Sequence, residues 1–92
     1  MVFRVHTVYF SQTADKQFQK LDTFTQKMIA KYISTNLEGS QNPRMLGKAL
    51  KGNLQGYWRY QVGKYRLIVE IQDDKLVILV LKIGHRREVY DR

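Results

Sequence analysis

The C-terminal segment KIGHRREVY, residues 82–90, gathers side chains that could cleave a phosphodiester bond. His85 is followed directly by Arg86 and Arg87, and Tyr90 lies close behind them. Histidine exchanges protons near neutral pH, and arginine is a permanent cation whose forked donors fit phosphate oxygens. RNA cleavage without a metal needs a base for the 2′-hydroxyl, cations for the charged transition state and an acid for the leaving 5′-oxygen. The segment therefore predicts part of such a catalytic set.

A long basic span precedes this segment. Residues 39–69 include no acidic residue but six cationic ones, which are Arg44, Lys48, Lys51, Arg59, Lys64 and Arg66. The same span also carries four rings, those of Tyr57, Trp58, Tyr60 and Tyr65. Cations interleaved with stacking rings are typical of surfaces that bind single-stranded nucleic acid. An acidic protein partner would also fit such a span, and a merely solvated basic face is the structural alternative.

Composition excludes several other classes of site. The chain has 92 residues, a net charge of +8 and no cysteine, so it has no disulfide framework and no thiolate metal site. Its two histidines, His6 and His85, lack metal-ligand spacing, and we expect neither a metal nor a cofactor. No signal peptide and no apolar run of roughly 20 residues is present. We therefore expect a single cytoplasmic domain over residues 1–92, away from membranes.

The N-terminal part predicts one strand followed by helices. Residues 2–10 alternate polar and apolar side chains, which is typical of a strand with one buried face. Thr13 can cap a first helix, and Asp22 or Thr23 can cap a second one that ends at Gly39. The connection between the two helices is either a tight turn of a helical hairpin or a kink.

The C-terminal half predicts an antiparallel sheet. Residues 39–56 hold the only proline and four of the six glycines, so they are expected to form a loop with at most one short helical turn. Short connections separate the strand-like runs 57–62, 64–71 and 75–81. These elements predict an α+β fold in which helices pack on one face of a three- or four-stranded, mainly antiparallel sheet.

Strand alternation predicts where the chemistry lies. Arg59 and Arg66 should share the open face of the sheet, the face away from the helices. The residues that alternate with them along the same strands are apolar and should point to the core. The run 75–81 has no polar alternation and is expected to be an interior strand that delivers the C-terminal segment to the exposed surface. The residues expected together near that surface are Arg59, Arg66, His85, Arg86 and Tyr90.

The motifs YWRYQVGKYRLIVEI, DDKLVILVL and GHRREVY, in this order after a strand and helices, resemble those of the RelE family of bacterial toxins. The resemblance extends over nearly the whole chain. It implies a compact α+β fold and a ribosome-dependent messenger-RNA endonuclease, an mRNA interferase, that cuts in the A site and inhibits translation. It also implies a partner, a cognate acidic RelB-like antitoxin that neutralises the toxin.

The resemblance also assigns candidate catalytic residues. Arg66 matches the arginine that binds the scissile phosphate in this family, and Arg86 and Tyr90 match the arginine and tyrosine of the terminal motif. Gln61 stands where some members have a lysine thought to act in proton transfer. This departure shifts attention to His85 as a proton carrier, so the expected catalytic set is Arg66, His85, Arg86 and Tyr90.

A second set is expected to bind RNA or the ribosome. Lys48 and Lys51 match a basic loop of the family that suits an RNA backbone, and Arg59 matches a lysine position on the strand before the hairpin. The full set is Arg59, Gln61, Lys48, Lys51, Arg44 and Lys64.

Two other functions remain open from the sequence. ParE-like proteins of the same superfamily share the fold but inhibit DNA gyrase and lack a ribonuclease site. A non-catalytic nucleic-acid-binding module would also account for the charge and the rings. The joint presence of Arg66, His85, Arg86 and Tyr90 favours the ribonuclease over both.

Overall fold

A computed structural model describes residues 5–87 and shows one mixed sheet with helices on one face. Two α-helices lie between the first two strands, and no helix in residues 5–87 has the length and apolar character needed to cross a membrane. The sheet order is β1-β5-β4-β3-β2, and β1 pairs with β5 in parallel. The elements are β1 (Thr7–Phe10), α1 (Gln12–Gln19), α2 (Thr23–Tyr32), β2 (Lys48–Ala49), β3 (Trp58–Val62), β4 (Tyr65–Gln72) and β5 (Val77–His85).

Side-chain caps fix where the helices begin. The Ser11 hydroxyl accepts a hydrogen bond from the Ala14 N–H at 3.0 Å, so α1 begins before the predicted cap at Thr13. The Asp22 carboxylate accepts from the hydroxyl and the N–H of Thr25, which confirms it as the cap of α2 and lowers its pKa. A π-helical turn, Ile33–Leu37, continues α2. Pairing of the helices as a hairpin stays a prediction.

The core lies between the helices and one face of the sheet. Ala14, Ile29 and Leu37 contribute fully buried side chains from the helical layer. The sheet side comes from alternate residues of three strands, Tyr60, Val62, Leu67, Val69, Ile78, Val80 and Ile83. Their alternation confirms the predicted faces of β3 and β4 and leaves Arg59 and Arg66 on the other face.

A β-bulge interrupts the alternation of β5. Ile68 pairs with Lys82 and Val69 pairs with Val80, so Leu81 is an extra residue without a partner on β4. Val80 and Ile83 both lie in the core although three positions separate them, which an uninterrupted strand does not allow. The bulge therefore reverses the facing of every β5 residue after Leu81.

One feature of the sheet differs from the sequence prediction. The span 39–56, predicted as a loop, contributes the two-residue strand β2 at the edge of β3, so the sheet has five strands instead of three or four. A strand of two residues is too short to show alternating polar and apolar side chains in the sequence, so β2 could not be predicted from the pattern. The predicted short helical turn is confirmed as a 3-10 turn at Gly52–Leu54.

A buried hydroxyl ties the loop before β2 to the core. Tyr60 is fully buried, its hydroxyl donates to the carbonyl of Pro43, and Pro43 is buried as well. Burial raises the pKa of Tyr60 to about 12, because the phenolate is penalised away from water.

We predict that Tyr60→Phe lowers the free energy of unfolding by about 1–3 kcal/mol, the cost of a buried acceptor without its donor. Urea unfolding measures this change. Tyr9→Phe is the control, since Tyr9 is 55% exposed, and should stay within about 0.5 kcal/mol of the parent. A Tyr60→Phe protein as stable as the parent would show that water replaces the hydroxyl and that this bond does not hold the loop.

Candidate functional site

Polar and cationic side chains of β3 and β4 meet on the open face of the sheet. Gln61 pairs directly with Arg66, and Arg59 pairs with Ile68 across the same two strands. All of these side chains point away from the helices, because their neighbours Tyr60, Val62 and Leu67 lie in the core. The predicted placement of Arg59 and Arg66 on one face is confirmed.

A chain of hydrogen bonds orients Arg66. Its Nε donates to Oε1 of Gln61 at 2.9 Å. The amide nitrogen of Gln61 in turn donates to the carbonyl oxygen of Gly63, in the turn between β3 and β4. The guanidinium plane is therefore tied to the backbone of the hairpin through one glutamine side chain.

The bulge at Leu81 brings β5 residues to this face. Lys82 pairs with Ile68 and Gly84 pairs with Arg66, so both belong to the open face. The Arg86 N–H donates to the Lys64 carbonyl at 2.8 Å, which continues the same pairing beyond the end of the strand. Arg86 thus lies diagonally from Arg66, across a glycine without a side chain, where long side chains come within reach of each other.

His85 does not join them. It pairs with Tyr65, and the two rings meet edge to face with centroids 5.7 Å apart. Tyr65 packs against the core, so the His85 ring lies on the helix side at the end of the sheet. The expectation that His85 shares the face of Arg66 was wrong, because the bulge inverts the alternation between Val80 and His85.

A backbone contact selects the tautomer of His85. The Arg87 N–H donates to Nδ1 of the ring at 3.2 Å, so Nδ1 acts as the acceptor. A neutral imidazole with an acceptor at Nδ1 carries its proton on Nε2. In this state Nε2 is a hydrogen-bond donor.

The remaining predicted site residues are spread along the edge of the sheet. Lys48 pairs with Arg59 across β2 and β3, and Lys51 and Lys64 are exposed. Tyr90 lies outside the described residues. Lys82 was not singled out from the sequence, because the run that contains it continues an apolar strand and only the bulge turns it outward.

Arg44 is held in an ionic cluster at the opposite end of the sheet. Its two terminal nitrogens donate to the carboxylate oxygens of Asp73 at 3.2 and 2.9 Å, and its guanidinium carbon lies 5.7 Å from the centre of the Trp58 ring. Nε2 of buried His6 approaches the same carboxylate at 3.3 Å, and its Nδ1 lies 3.0 Å from the Ser40 carbonyl. The cluster joins β1, the loop before β2 and the turn between β4 and β5. His6 is thus a structural residue of the fold, a role that the sequence did not indicate.

The rings of the basic span are mostly structural. Tyr60 is fully buried, so it cannot stack on a base. Trp58 and Tyr65 pack against the core. Tyr57 instead lines a cavity of about 50 Å³ on the open face with Leu54, Ile68, Leu81 and Lys82. Of the four rings, Tyr57 is therefore the one that lies beside Lys82 on the open face.

Within residues 5–87, no group of three or more histidine and acidic side chains is placed to hold a metal ion. A larger cavity of about 370 Å³ lies between β1 and the helices, where Val8, Phe10, Phe18 and Ile33 form an apolar wall. It is separate from the face that carries Arg66.

Comparison with protein families gives a match along most of the chain. A family described as the ParE toxin of type II toxin–antitoxin systems matches residues 8–90. Toxin RelG of Mycobacterium tuberculosis is 30% identical over 87 residues, which cover 95% of this chain and 98% of that protein. The mRNA interferase toxin RelE of Escherichia coli is 30% identical over 84 residues, covering 88% and 85% of the two chains.

Solved structures have the same fold. A toxin–antitoxin complex from Mycobacterium tuberculosis superposes with a TM-score of 0.80 at 28% identity, covering 89% of this chain and 99% of that one. The isolated RelE toxin of Escherichia coli gives a TM-score of 0.72 at 26% identity, with 94% and 92% covered. The α+β fold expected from the sequence is thereby confirmed.

We predict that the ionic cluster makes the protein less stable in acid. Hydrogen bonds from Arg44, and then from His6, hold the pKa of Asp73 below its ordinary value. A carboxylate whose pKa is lower in the folded protein than in the unfolded protein stabilises the fold at pH values above the unfolded pKa. This stabilisation is lost as the pH falls through the pKa of the folded protein. The urea midpoint of Asp73→Asn should therefore lie below that of the parent at pH 6, and the gap should close below about pH 4.

Asp74→Asn is the matched control, since the neighbouring Asp74 has no ion pair with the residues that the structure describes. It should show no pH-dependent gap of this kind. A constant difference between Asp73→Asn and the parent from pH 6 to pH 3 would contradict the role of the carboxylate charge.

Proposed function

The chain belongs to the ParE toxin family of type II toxin–antitoxin systems, and from this premise we propose that it is a RelE-like endoribonuclease that cleaves messenger RNA on the ribosome. The observation that carries the proposal is the diagonal placement of Arg66 and Arg86 on one face of the sheet. The name mRNA interferase, given to two relatives 30% identical to this chain, supports the same activity.

Two arginines suit a phosphate better than a general basic surface does. Each guanidinium offers parallel donors to two oxygens, and two of them near one phosphodiester stabilise the additional charge that develops as the 2′-oxygen attacks. Arg59, Lys48 and Lys82 extend the positive face on either side, which suits the flanking phosphates of a single strand. This division assigns Arg66 and Arg86 to the reaction and the other cations to binding.

His85 is proposed as the acid for the leaving 5′-oxygen. As an acid the ring must be the imidazolium, because a neutral imidazole is far too weak to protonate a leaving oxygen. Protonation of Nδ1 removes the acceptor for the Arg87 N–H, so this contact is expected to break when the ring is charged, and Nε2 then donates its proton to the 5′-oxygen. The His85 ring lies on the helix side of the sheet. A phosphate within reach of Arg66, Arg86 and Nε2 must therefore lie at the end of the sheet where β4 begins and β5 ends. The scissile bond is thus proposed to cross the end of the sheet, with the flanking RNA along the open face.

Tyr90 and the base for the 2′-hydroxyl complete the proposal. Tyr90 is proposed to hydrogen-bond to the RNA or to stack on a base. The described residues of the open face offer cations and amides but no histidine, so this chain supplies charge more readily than it supplies a base. Ordering of the substrate by the ribosome would then contribute much of the rate, since alignment alone can be worth several kcal/mol, about 7 or more in favourable cases.

An antitoxin of the RelB type is the proposed protein partner. The similar chain from Mycobacterium tuberculosis was solved in a toxin–antitoxin complex. The acid-free span 39–69 offers an acidic partner a surface of one charge, which would accelerate association in a salt-dependent manner. Exposed Met45 and Leu46 within this span are apolar contacts that salt would not weaken.

One experiment separates this function from its two rivals. After brief induction in cells without an antitoxin, translation, DNA supercoiling and messenger-RNA 5′ ends are followed together. Messenger cuts in phase with codons support the ribonuclease. DNA breaks that depend on gyrase would instead identify a ParE-like inhibitor, and growth without either change would leave only a binding module.

We predict that Arg66→Ala or Arg86→Ala slows cleavage about a hundredfold, which corresponds to the loss of roughly 3 kcal/mol of transition-state stabilisation. The measurement is single-turnover cleavage on programmed ribosomes at saturating protein. Lys31→Ala, which removes an exposed charge from α2, is the control and should cut at the parental rate. Lys48→Ala and Lys51→Ala should raise the half-saturating concentration and leave the saturated rate nearly unchanged.

In the same assay we predict that His85→Gln slows cleavage by about 10²-fold, the low end for acid–base catalysis. His85→Phe keeps an aromatic ring against Tyr65 but cannot donate a proton, so it should be as slow. Parental rates for both variants would remove the histidine from the reaction and place the scissile phosphate on the open face. A slow His85→Gln beside a fast His85→Phe would assign the ring a packing role.

A further inference from the structure

We propose that Gln61 is a positioning residue for Arg66 and does not itself bind RNA. This inference rests on the proposed ribonuclease activity, because it concerns how the phosphate-binding arginine is aimed. The Gln61 side chain hydrogen-bonds both to Arg66 and to the backbone of the β3–β4 turn, and so links the two.

The geometry defines one orientation of the Gln61 amide. The Arg66 Nε can only donate, so it requires the carbonyl oxygen of the amide, and the Gly63 carbonyl can only accept, so it requires the amide nitrogen. Both requirements are met by the same rotamer. A flipped amide would place a donor against a donor and an acceptor against an acceptor, so the orientation is fixed by its two partners.

The turn at the other end of this chain of bonds is itself held in place. Gly63 has a φ of +59°, a left-handed conformation that favours glycine. Met28 of α2 lies beneath it, since a Cβ built on Gly63 would come within 3.1 Å of the Met28 sulfur. Packing of Met28 against the turn and the two hydrogen bonds of Gln61 therefore connect the helical layer to the guanidinium of Arg66.

The consequence for Arg66 is a fixed guanidinium plane. The hydrogen bond uses Nε, the nitrogen nearest the backbone, and so sets the direction in which the two terminal nitrogens extend. An arginine held in this way loses less conformational freedom when it binds a phosphate than one that must first be ordered. A lysine at position 61 would offer Arg66 a second cation and no acceptor, so the departure at this position suits a positioning role.

The test combines a spectroscopic and a kinetic measurement on Gln61→Met, which keeps the length of the side chain and removes both hydrogen bonds. In ¹⁵N-correlated spectra, the Arg66 Nε–H signal, assigned through its loss in Arg66→Lys, should shift and exchange with water faster. In single-turnover assays, cleavage at saturation should slow about tenfold while the half-saturating concentration changes less than twofold. Gln19→Met, which removes an exposed glutamine on α1, should leave all three readouts at parental values.

Gln61→Glu is a second test variant, because its carboxylate keeps an acceptor for Arg66 but has no donor for the Gly63 carbonyl. The Arg66 Nε–H should then remain slow to exchange. An unchanged Nε–H signal in Gln61→Met would overturn the positioning role. A higher half-saturating concentration with an unchanged saturated rate would also overturn it, because that result identifies a residue that contacts RNA. If the parent cleaves no RNA, the proposed function fails, whereas the exchange of Nε–H still decides whether Gln61 orients Arg66.

Discussion

The extra residue in β5 determines which side chains meet at the end of the sheet. Leu81 has no partner on β4, and after it the strand continues with inverted facing. Lys82 and Gly84 therefore turn to the open face beside Arg66, whereas Ile83 returns to the core. If β5 kept the same residues but alternated regularly through Leu81, His85 would face outward and Arg86 inward. Bulges commonly re-aim a side chain next to a functional site, and here the bulge places Arg86 instead of His85 on the face that is proposed to bind the phosphate.

The positive charges of the span 39–69 fall into two groups with different surroundings. Arg44 forms an ion pair with Asp73, which lies in the turn between β4 and β5, and its guanidinium lies over the Trp58 ring. The charge of Arg44 therefore holds the loop before β2 against the sheet. Arg59 and Lys48 pair across the edge strands on the open face. The first group stabilises the fold, while the second concentrates charge of one sign, which favours a polyanionic partner at some cost in self-repulsion. Net charge alone does not distinguish these groups.

The sequence predicted the helices, the strands other than β2 and most faces correctly, because their signals are local. Alternation in β3 and β4 separated Arg59 and Arg66 from the core, and Asp22 was one of the two caps expected for α2 from residue type. The face of His85 was not predictable in this way, because Leu81 is apolar like its neighbours and nothing in an apolar run marks which residue is extra. The cluster of His6, Arg44 and Asp73 joins residues far apart in the chain, so no local pattern could indicate it.

The two arginines proposed to act on the phosphate differ in how firmly the fold holds them. Arg66 lies on β4, which is hydrogen-bonded to β3 on one side and β5 on the other, and its guanidinium is oriented by Gln61. Arg86 follows the end of β5 and is fixed by one backbone hydrogen bond to Lys64. Elements paired on both sides hold a side chain more closely than strand ends, which open at low free-energy cost. Arg66 therefore provides a preformed contact for the phosphate, and we expect Arg86 to adjust its position to the RNA when the strand is bound.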